Sequence, residues 1–199
     1  MVIGIMGYSG SGKSTISAEF EKLGAFVIDA DKIGKDILKK GSEALKKVVL
    51  TFGEDILFPD KTLNRKKLGD IVFSDKEKLK LLNDITWSAI NEEIIKRINE
   101  NKDKVVIVDC PLLYKVSSYN LCDEVIFINT PEEILIERIV KRDNVSYETA
   151  KNRLERQYDP EFIKKSTIIL ENSSIEGLKN QAEAFMKGWT KWQEKKTYY

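Results

Sequence analysis

The sequence has little cysteine, no long apolar run and almost no net charge. Its two cysteines, Cys110 and Cys122, have neither the number nor the spacing of a disulfide framework or a zinc site, so we expect reduced thiols and a cytoplasmic protein. No stretch approaches the roughly 18 apolar residues of a membrane span. Because 33 basic and 32 acidic side chains nearly cancel, no global field attracts nucleic acid or an anionic membrane, and neither is an expected partner.

Five short apolar runs predict the strands of one sheet. The runs do not alternate, as expected for strands buried on both faces, and they cover residues 2–6, 25–28, 105–108, 125–128 and 167–170. Helical periodicity between them, clearest from Leu79 to Ile98, predicts a parallel α/β sheet with helices on both faces. The 199 residues are expected to form a single catalytic unit.

Two long excursions are predicted to leave this core of residues 1–35, 101–136 and 166–199. The connection between the second and third strands is far longer than an ordinary crossover, which predicts an inserted helical subdomain at about residues 36–100. A second helical excursion at about residues 137–165 is predicted to form a lid, and it carries Arg138, Arg142, Arg153 and Arg156. Near the C-terminus, Trp189 and Trp192 are expected to pack in the core, and residues 195–199 to fray.

A glycine-rich segment between the first predicted strand and the first helix matches the P-loop pattern, in which a glycine and four further residues precede Gly-Lys-Ser. The glycines let backbone N–H groups and the helix N-terminus surround a polyphosphate. Lys13 is expected to reach the β- and γ-phosphates, and Ser14 to ligate Mg²⁺. The pattern predicts a three-layer P-loop fold that binds a nucleoside triphosphate; a simple glycine-rich turn is the alternative. The predicted nucleotide-binding residues are Ser9, Gly10, Ser11, Gly12, Lys13, Ser14 and Thr15.

Three aspartates follow predicted strands, where ligands bind in sheets of this kind. Asp29 and Asp31 follow the second strand, and at least one of them is expected to accept the proton of an acceptor hydroxyl. Capping of the helix that begins near Ile33 is the alternative for either residue. Asp109 ends the third strand, where an acidic residue contacts Mg²⁺ or its waters in many P-loop proteins. Its alternative role is to cap the turn at Pro111.

Several further motifs follow one another along the chain together with the P-loop. They are 27–33, 63–68 with 71–73, 111–113, 130–133, Arg138, 141–143, 153–157 and 171–172. Taken in order, these motifs resemble the dephospho-coenzyme A kinase family. Apart from the P-loop each motif is weak, but their order and spacing are specific and span most of the chain. The resemblance implies ATP-dependent phosphorylation of the ribose 3′-hydroxyl of dephospho-coenzyme A, which gives coenzyme A and ADP in the last step of coenzyme A biosynthesis.

The resemblance also implies roles for single residues. Asp31 matches the general base for the ribose hydroxyl, and Arg65 matches an arginine of the acceptor subdomain. Arg138 and Arg142 match lid positions that act with Lys13 on the transferred phosphoryl group, and Arg138 also contacts the nucleotide; a solvated helix face is the alternative for both arginines. The implied acceptor-binding residues are Asp29, Asp31, Arg65, Pro111 and Leu112. ATP and dephospho-coenzyme A are the implied substrates and Mg²⁺ the cofactor, and we expect a monomer or a weak homo-oligomer.

The sequence departs from the family pattern outside the P-loop and Asp31. The usual His-Pro pair appears as Trp87-Ser88 in a chain without histidine, Lys115 stands where an acidic residue is common, and Ser166-Thr167 replaces Ala-Asp. These departures concern acceptor binding and adenine recognition rather than phosphoryl transfer. The alternative functions are a kinase of nucleosides or nucleoside monophosphates and a non-catalytic nucleotide-binding regulator.

Overall fold

The chain divides into two compact units in the computed structural model. The backbone is described for residues 1–196 and the side chains for residues 1–188. The first unit contains residues 1–28 and the chain from Ile98 onward, and the second contains Asp29–Arg97. The predicted packing of Trp189 and Trp192 and the predicted fraying of residues 197–199 lie outside these described parts. Residues 195 and 196, which were also predicted to fray, are the last residues of a helix.

The first unit is built on a parallel sheet of five strands in the order β2-β3-β1-β4-β5. The strands are β1 (Val2–Met6), β2 (Phe26–Asp29), β3 (Val106–Asp109), β4 (Glu124–Asn129) and β5 (Ile168–Glu171). The central strand β1 pairs with β3 on one side, Ile3 opposite Ile107, and with β4 on the other, Ile5 opposite Ile126. The five predicted strands are confirmed to within one residue at each end.

Helices account for most of the remaining chain. They are α1 (Lys13–Lys22), α2 (Ala30–Asp36), α3 (Glu43–Phe52), α4 (Arg65–Phe73), α5 (Lys76–Glu100), α6 (Glu132–Asp143), α7 (Tyr147–Gln157), α8 (Glu161–Lys164) and α9 (Ile175–Lys196). None of the helices in the described part of the chain combines the length and the apolar character that a membrane span requires.

One face of the sheet packs against α1 and α9. Ile3, Ile107 and Ile126 are fully buried there together with Phe20 of α1 and Leu178 of α9. Burial of a side chain of this size contributes about 1.5–3 kcal/mol. This cluster therefore fixes α1, and with it the P-loop that precedes α1, on the central strand.

The opposite face of the sheet is covered within this unit by short segments. A methyl group on Gly4 of β1 would collide with Leu113, which lies in a 3₁₀ turn at Leu113–Lys115, so this turn approaches the backbone of β1 closely. Phe162 of α8 stacks on Phe127 of β4 with their ring centroids 5.6 Å apart. These contacts place the segment around α8 beside the carboxyl-terminal half of β4.

The edge strand β5 is buried on one face only. Ile169 is 46% exposed, whereas Leu170 is 8% exposed and belongs to the core shared with α9. The prediction that this apolar run is buried on both faces is therefore wrong for Ile169. An edge strand pairs with a neighbour on one side only, and its apolar side chains are buried only where another element packs over them.

Helices α6 and α7 form a small helical pair with its own apolar contact. Ile136, Ile139 and Leu154 are buried in this cluster together with Ala150. The pair is joined through Asn144, which has a positive φ of 51° and ends α6 in the left-handed conformation that asparagine tolerates. Helix α6 begins at Glu132 rather than at about residue 137, where the predicted lid starts.

The second unit is helical and has a separate core. Side chains from α3, α4 and the connecting segments are buried together, and these are Leu38, Ala44, Val48, Ile56, Leu68 and Val72. Helices α3 and α4 of this core carry side-chain caps: Ser42 accepts from the Leu45 N–H at 3.1 Å, and Asn64 accepts from the Lys67 N–H at 3.0 Å. The unit thus has the buried apolar cluster and the caps of an independent helical subdomain; its role stays a prediction.

The two cysteines are protected from reaction in the folded protein. Cys110 is buried, and burial raises the pKa of the Cys122 thiol to about 12. Because the thiolate is the reactive form, we expect neither cysteine to react with iodoacetamide at neutral pH until the protein is unfolded. Mass spectrometry of native and guanidinium-unfolded samples checks this expectation. Rapid alkylation of the native protein at Cys122 would contradict it.

Candidate active site

The P-loop has the backbone conformation that its glycines permit. Gly10 and Gly12 have φ angles of 82° and 100°, in the left-handed region that other residues rarely adopt. A side chain at Gly12 would also lie 2.5 Å from Asn172 Nδ2 and 3.0 Å from Leu178 Cδ2. Conformation and close approach therefore both require glycine at position 12.

Replacing Gly12 with alanine is expected to destabilise the protein and to weaken nucleotide binding. A residue held in this region of φ costs about 1–3 kcal/mol, and the contact with Asn172 adds to that cost. Gly24→Ala is a matched control, because Gly24 has a φ of 93° and a methyl group placed on it would meet no atom within 4 Å. Denaturant unfolding and ADP titration measure the two effects. A Gly12→Ala variant no less stable than Gly24→Ala would contradict the account.

Backbone donors of the P-loop are available to an anion. In the described part of the chain, the N–H groups of Gly10, Gly12 and Ser14 donate to no protein acceptor. The Ser11 N–H, in contrast, donates to the Tyr8 carbonyl at 3.1 Å within the loop itself. Free N–H groups at the N-terminus of a helix bind phosphate groups through both hydrogen bonds and the helix dipole.

Lys13 adds the positive charge of this site. Its Nζ donates to the carbonyl oxygens of Gly7 at 2.8 Å and Tyr8 at 2.9 Å, which holds the ammonium group over the loop. Thr15 lies in the first turn of α1, where its N–H donates to the Gly12 carbonyl at 3.0 Å. Together with the free N–H groups, the ammonium group makes this loop a site for a polyphosphate.

The carbonyl of Ser11 is held by two residues that the sequence did not single out for this role. Thr130 Oγ1 donates to it at 3.1 Å, and Asn172 Nδ2 donates to it at 2.6 Å. All three residues are buried. Because both donors act on one carbonyl, they fix the orientation of the peptide between Ser11 and Gly12 and thereby aim the Gly12 N–H.

The residues predicted to hold Mg²⁺ have oxygen atoms of a suitable kind. Ser14 is exposed in the first turn of α1, and its hydroxyl has no protein partner among the described residues. Asp109 Oδ2 accepts from the hydroxyl of Ser17 of α1 at 2.9 Å, so the end of β3 is tied to the helix that carries Ser14. Hydroxyl and carboxylate oxygens fit Mg²⁺. Since no group of three acidic, cysteine or histidine side chains suited to a metal occurs in the described residues, the remaining ligands would come from phosphates and water.

Two predicted lid arginines contact the P-loop. Arg138 Nη1 donates to the Gly10 carbonyl at 3.0 Å, and Arg142 Nη2 donates to Ser9 Oγ at 3.0 Å. Both side chains therefore have a partner in the loop, although Arg142 is exposed, and their role on the transferred phosphoryl group stays a prediction. The guanidinium of Arg142 also binds the neighbouring carboxylate of Asp143 at 2.8 Å, and this hydrogen bond raises the pKa of Arg142.

Asp143 organises the arginines of the helical pair. It accepts from Arg142 of its own helix and from Arg153 of α7 at 3.0 Å. The hydrogen bond from Arg142, followed by the charges of Arg142 and Arg153, lowers the pKa of Asp143 below its usual value. The carboxylate thus stays ionised and links α6 to α7 next to the P-loop.

Within the second unit, α2 carries the predicted acceptor carboxylates. Asp29 Oδ1 accepts from the Lys32 N–H at 2.9 Å and caps α2, which begins at Ala30 rather than near Ile33. Asp31 lies in the first turn of α2 and is exposed. Arg65 Nη2 donates to the carbonyl of Lys35 at 3.0 Å, so the guanidinium lies at the C-terminal part of the helix that carries Asp31. The capping alternative is confirmed for Asp29, and the role of Asp31 stays a prediction.

The other predicted residues lie in the first unit after β3. Pro111 and Leu112 are half-buried between β3 and the following 3₁₀ turn. Lys115, one of the departures from the family pattern, approaches Asp159 with its ammonium 3.8 Å from Oδ2. Its positive charge is therefore balanced within the protein.

Comparison with known structures defines the class of this protein. Shikimate kinase from Acinetobacter baumannii matches with a TM-score of 0.57 over 96% of this chain and 93% of that chain, at 16% identity, which is a likeness of fold. The parallel sheet with a P-loop between β1 and α1 is that of the P-loop kinases. A family model described as dephospho-CoA kinase matches residues 1–177, so the chain belongs to the dephospho-CoA kinase family.

Two relatives support the same membership. The dephospho-CoA kinase of Carboxydothermus hydrogenoformans is 38% identical over 198 residues, which cover 97% of this chain and 96% of the relative. The solved dephospho-CoA kinase of Campylobacter jejuni is 32% identical, with a TM-score of 0.72 over 96% of this chain and 98% of that chain. The resemblance seen in the sequence motifs is thereby confirmed.

Proposed function

We propose that this protein transfers the γ-phosphoryl group of ATP to the ribose 3′-hydroxyl of dephospho-coenzyme A, which gives coenzyme A and ADP. The observation that carries the proposal is the P-loop, with free N–H groups at Gly10, Gly12 and Ser14, in a chain that matches the dephospho-CoA kinase family over residues 1–177. Transfer of a phosphoryl group depends mainly on positioning and on charge stabilisation, and the residues around this loop supply both.

The nucleotide phosphates are held by the P-loop and the first turn of α1. Lys13 leaves the carbonyls of Gly7 and Tyr8 and binds the β- and γ-phosphates, which replace those carbonyls as the partners of its ammonium group. Arg138 and Arg142 start from hydrogen bonds to Gly10 and Ser9, so their guanidinium groups are already beside the loop. They neutralise charge that develops on the transferred group.

Asp31 accepts the proton of the attacking hydroxyl in this proposal. Its carboxylate is exposed in the first turn of α2, and the family resemblance assigns the general base to this position. Arg65, bound to the carbonyl of Lys35 in the same unit, binds the acceptor with the second unit as a whole. Pro111 and Leu112, which are half-buried after β3, are further proposed acceptor-binding residues.

Ser14 would hold Mg²⁺ directly, and Asp109 would hold it through water. When bound, the ion would supply positive charge that stabilises the phosphates during transfer. Asp109 is kept in place by Ser17, and Ser14 is exposed in the first helical turn, so the protein supplies few ligands, as is usual for Mg²⁺ with a nucleotide. We further expect the protein in the cytoplasm, as a monomer or weak homo-oligomer, with α6 and α7 closing as a lid.

The test of the proposed function is a panel of acceptors assayed with ATP and Mg²⁺. Initial rates are measured by coupled detection of ADP with dephospho-coenzyme A, adenosine, cytidine, AMP and CMP as acceptors, and with no acceptor. Dephospho-coenzyme A is expected to give the highest kcat/KM by at least about 100-fold, because a site built for one acceptor leaves polar groups unpaired with another. A higher kcat/KM for a nucleoside or nucleotide would contradict the proposal, and so would ADP release that no acceptor increases.

A further inference from the structure

Gln157 is a polar side chain at the P-loop that sequence analysis assigned to no role. It is the last residue of α7, and its Oε1 accepts from the Ser9 N–H at 2.9 Å. Ser9 thus receives two side chains from the helical pair, because Arg142 donates to its hydroxyl at 3.0 Å. A neutral amide and a guanidinium group therefore converge on the same residue of the loop.

The segment after Gln157 is anchored on the P-loop by aromatic contacts. Tyr158 lies parallel to Tyr8 with ring centroids 6.5 Å apart, and Phe162 meets the edge of Tyr8 at 5.1 Å. Asp159 accepts from the hydroxyl of Tyr114. Three residues of this segment thus contact either Tyr8 of the P-loop or Tyr114 of the turn after β3, so the position of Gln157 is set by its surroundings and not by a single surface hydrogen bond.

The hydrogen bond to Ser9 leaves the amide nitrogen of Gln157 unused. In the described structure, Nε2 has no protein acceptor, although it carries two donors on the same rigid planar group as Oε1. The free N–H group of Gly10 follows Ser9 directly, and that of Gly12 lies two residues further along the loop. The unused donors of Gln157 therefore lie at the beginning of the loop that we propose binds the phosphates.

We infer that Gln157 is a further catalytic residue, which donates from Nε2 to an oxygen of the transferred phosphoryl group while the Ser9 N–H holds its Oε1. This inference rests on the proposed function, since it needs a triphosphate on the P-loop. A neutral donor suits this position because Arg138, Arg142 and Lys13 already bring three positive charges to the loop. The amide adds a hydrogen bond to the phosphoryl oxygens without a further charge that must be desolvated.

Two substitutions separate donation to the phosphoryl group from a purely structural contact with Ser9. Gln157→Glu keeps an oxygen that can accept from the Ser9 N–H but replaces the donors with a negative oxygen. Gln157→Met keeps the length of the side chain and removes both functions. Lys151→Ala is the control, because Lys151 is exposed on the same helix and has no partner among the described residues.

For each variant we would measure kcat with dephospho-coenzyme A, the Kd of ADP, the Kd of a non-hydrolysable ATP analogue, and Tm. Both Gln157 variants are expected to lower kcat about 100-fold, as removal of one transition-state donor does. They are also expected to weaken the binding of the ATP analogue more than the binding of ADP, since only the analogue has a γ-phosphate. The Lys151→Ala control is expected to match the wild type. The Tm values show whether a loss of kcat results from unfolding. If Gln157→Glu is unstable, the kcat and the two Kd values of Gln157→Met test the inference instead.

The inference is overturned if Gln157→Glu retains the wild-type kcat, because Gln157 would then serve only to accept the hydrogen bond from the Ser9 N–H. It is also overturned if Gln157→Met loses the same factor of affinity for ADP as for the ATP analogue. Failure of the proposed function would give a different result, because the wild-type protein itself would then transfer no phosphoryl group to dephospho-coenzyme A. The wild-type rate and the variant ratios thus test the two claims separately.

Discussion

Changing Asp31 to asparagine is expected to lower kcat with dephospho-coenzyme A by about 10²–10⁴-fold, the range that general base catalysis supplies. Asparagine has nearly the same shape but does not accept the proton of the ribose hydroxyl. Asp31 does not cap α2, because Asp29 accepts from the Lys32 N–H, so the helix is expected to keep its start in this variant. The affinity for ATP is expected to stay within about twofold of the wild type, since the phosphates bind the P-loop.

The matched control for this substitution lies on the same helix. Asp36→Asn makes the same chemical change at a carboxylate that pairs with Lys39 at 2.8 Å on the surface. A surface ion pair of this kind contributes little to stability, so the control is expected to be stable. Steady-state kinetics and ATP titration are used to compare kcat and the affinity for ATP between the two variants. An unchanged kcat in Asp31→Asn would remove this residue as the base.

Replacing Lys13 with alanine is expected to lower kcat/KM for ATP by about 10²–10³-fold, as loss of one preorganised donor to a developing negative charge does. The substitution also removes the ammonium group that binds the carbonyls of Gly7 and Tyr8. Because Lys13 reaches both the β- and the γ-phosphate, ADP binding is expected to weaken as well. This loss of ADP affinity distinguishes Lys13→Ala from Asp31→Asn, which affects only the transfer step.

Lys22→Ala is the control for the lysine substitution. Lys22 lies at the other end of α1, where it pairs with Glu19 at 3.1 Å and its side chain is 65% exposed. We expect this control to match the wild type in both ADP affinity and kcat/KM. Calorimetric titration with ADP and a coupled kinase assay provide the two readouts. An ADP affinity of Lys13→Ala equal to that of the control would contradict the assigned role.

Much of the fold could be predicted because its signals are local. Each of the five strands is a short apolar run, and the P-loop is a contiguous pattern between a strand and a helix. The start of α2 was placed near Ile33, although Asp29 caps the helix and Ala30 begins it. An Asp-Ala-Asp segment offers two possible caps, and the sequence does not distinguish between them.

The support of the P-loop could not be predicted from local pattern. Thr130 and Asn172 bind the Ser11 carbonyl across 119 and 161 residues of chain, and Gln157 binds Ser9 across 148. A single threonine, asparagine or glutamine has no spacing that reveals such a partner. The contacts of Thr130 and Asn172 exist because the order β1-β4-β5 brings the ends of β4 and β5 beside the loop, and strand order is a property of the whole chain.

The position of the new phosphate on the product tests the central claim most directly. The protein is incubated with ATP, Mg²⁺ and dephospho-coenzyme A, and the product is analysed by two-dimensional phosphorus-proton NMR. We predict one new phosphomonoester whose phosphorus couples to the ribose H3′, formed in equal amount with ADP. Coupling to the ribose H2′, or ADP formed without any phosphomonoester on the acceptor, would contradict the account.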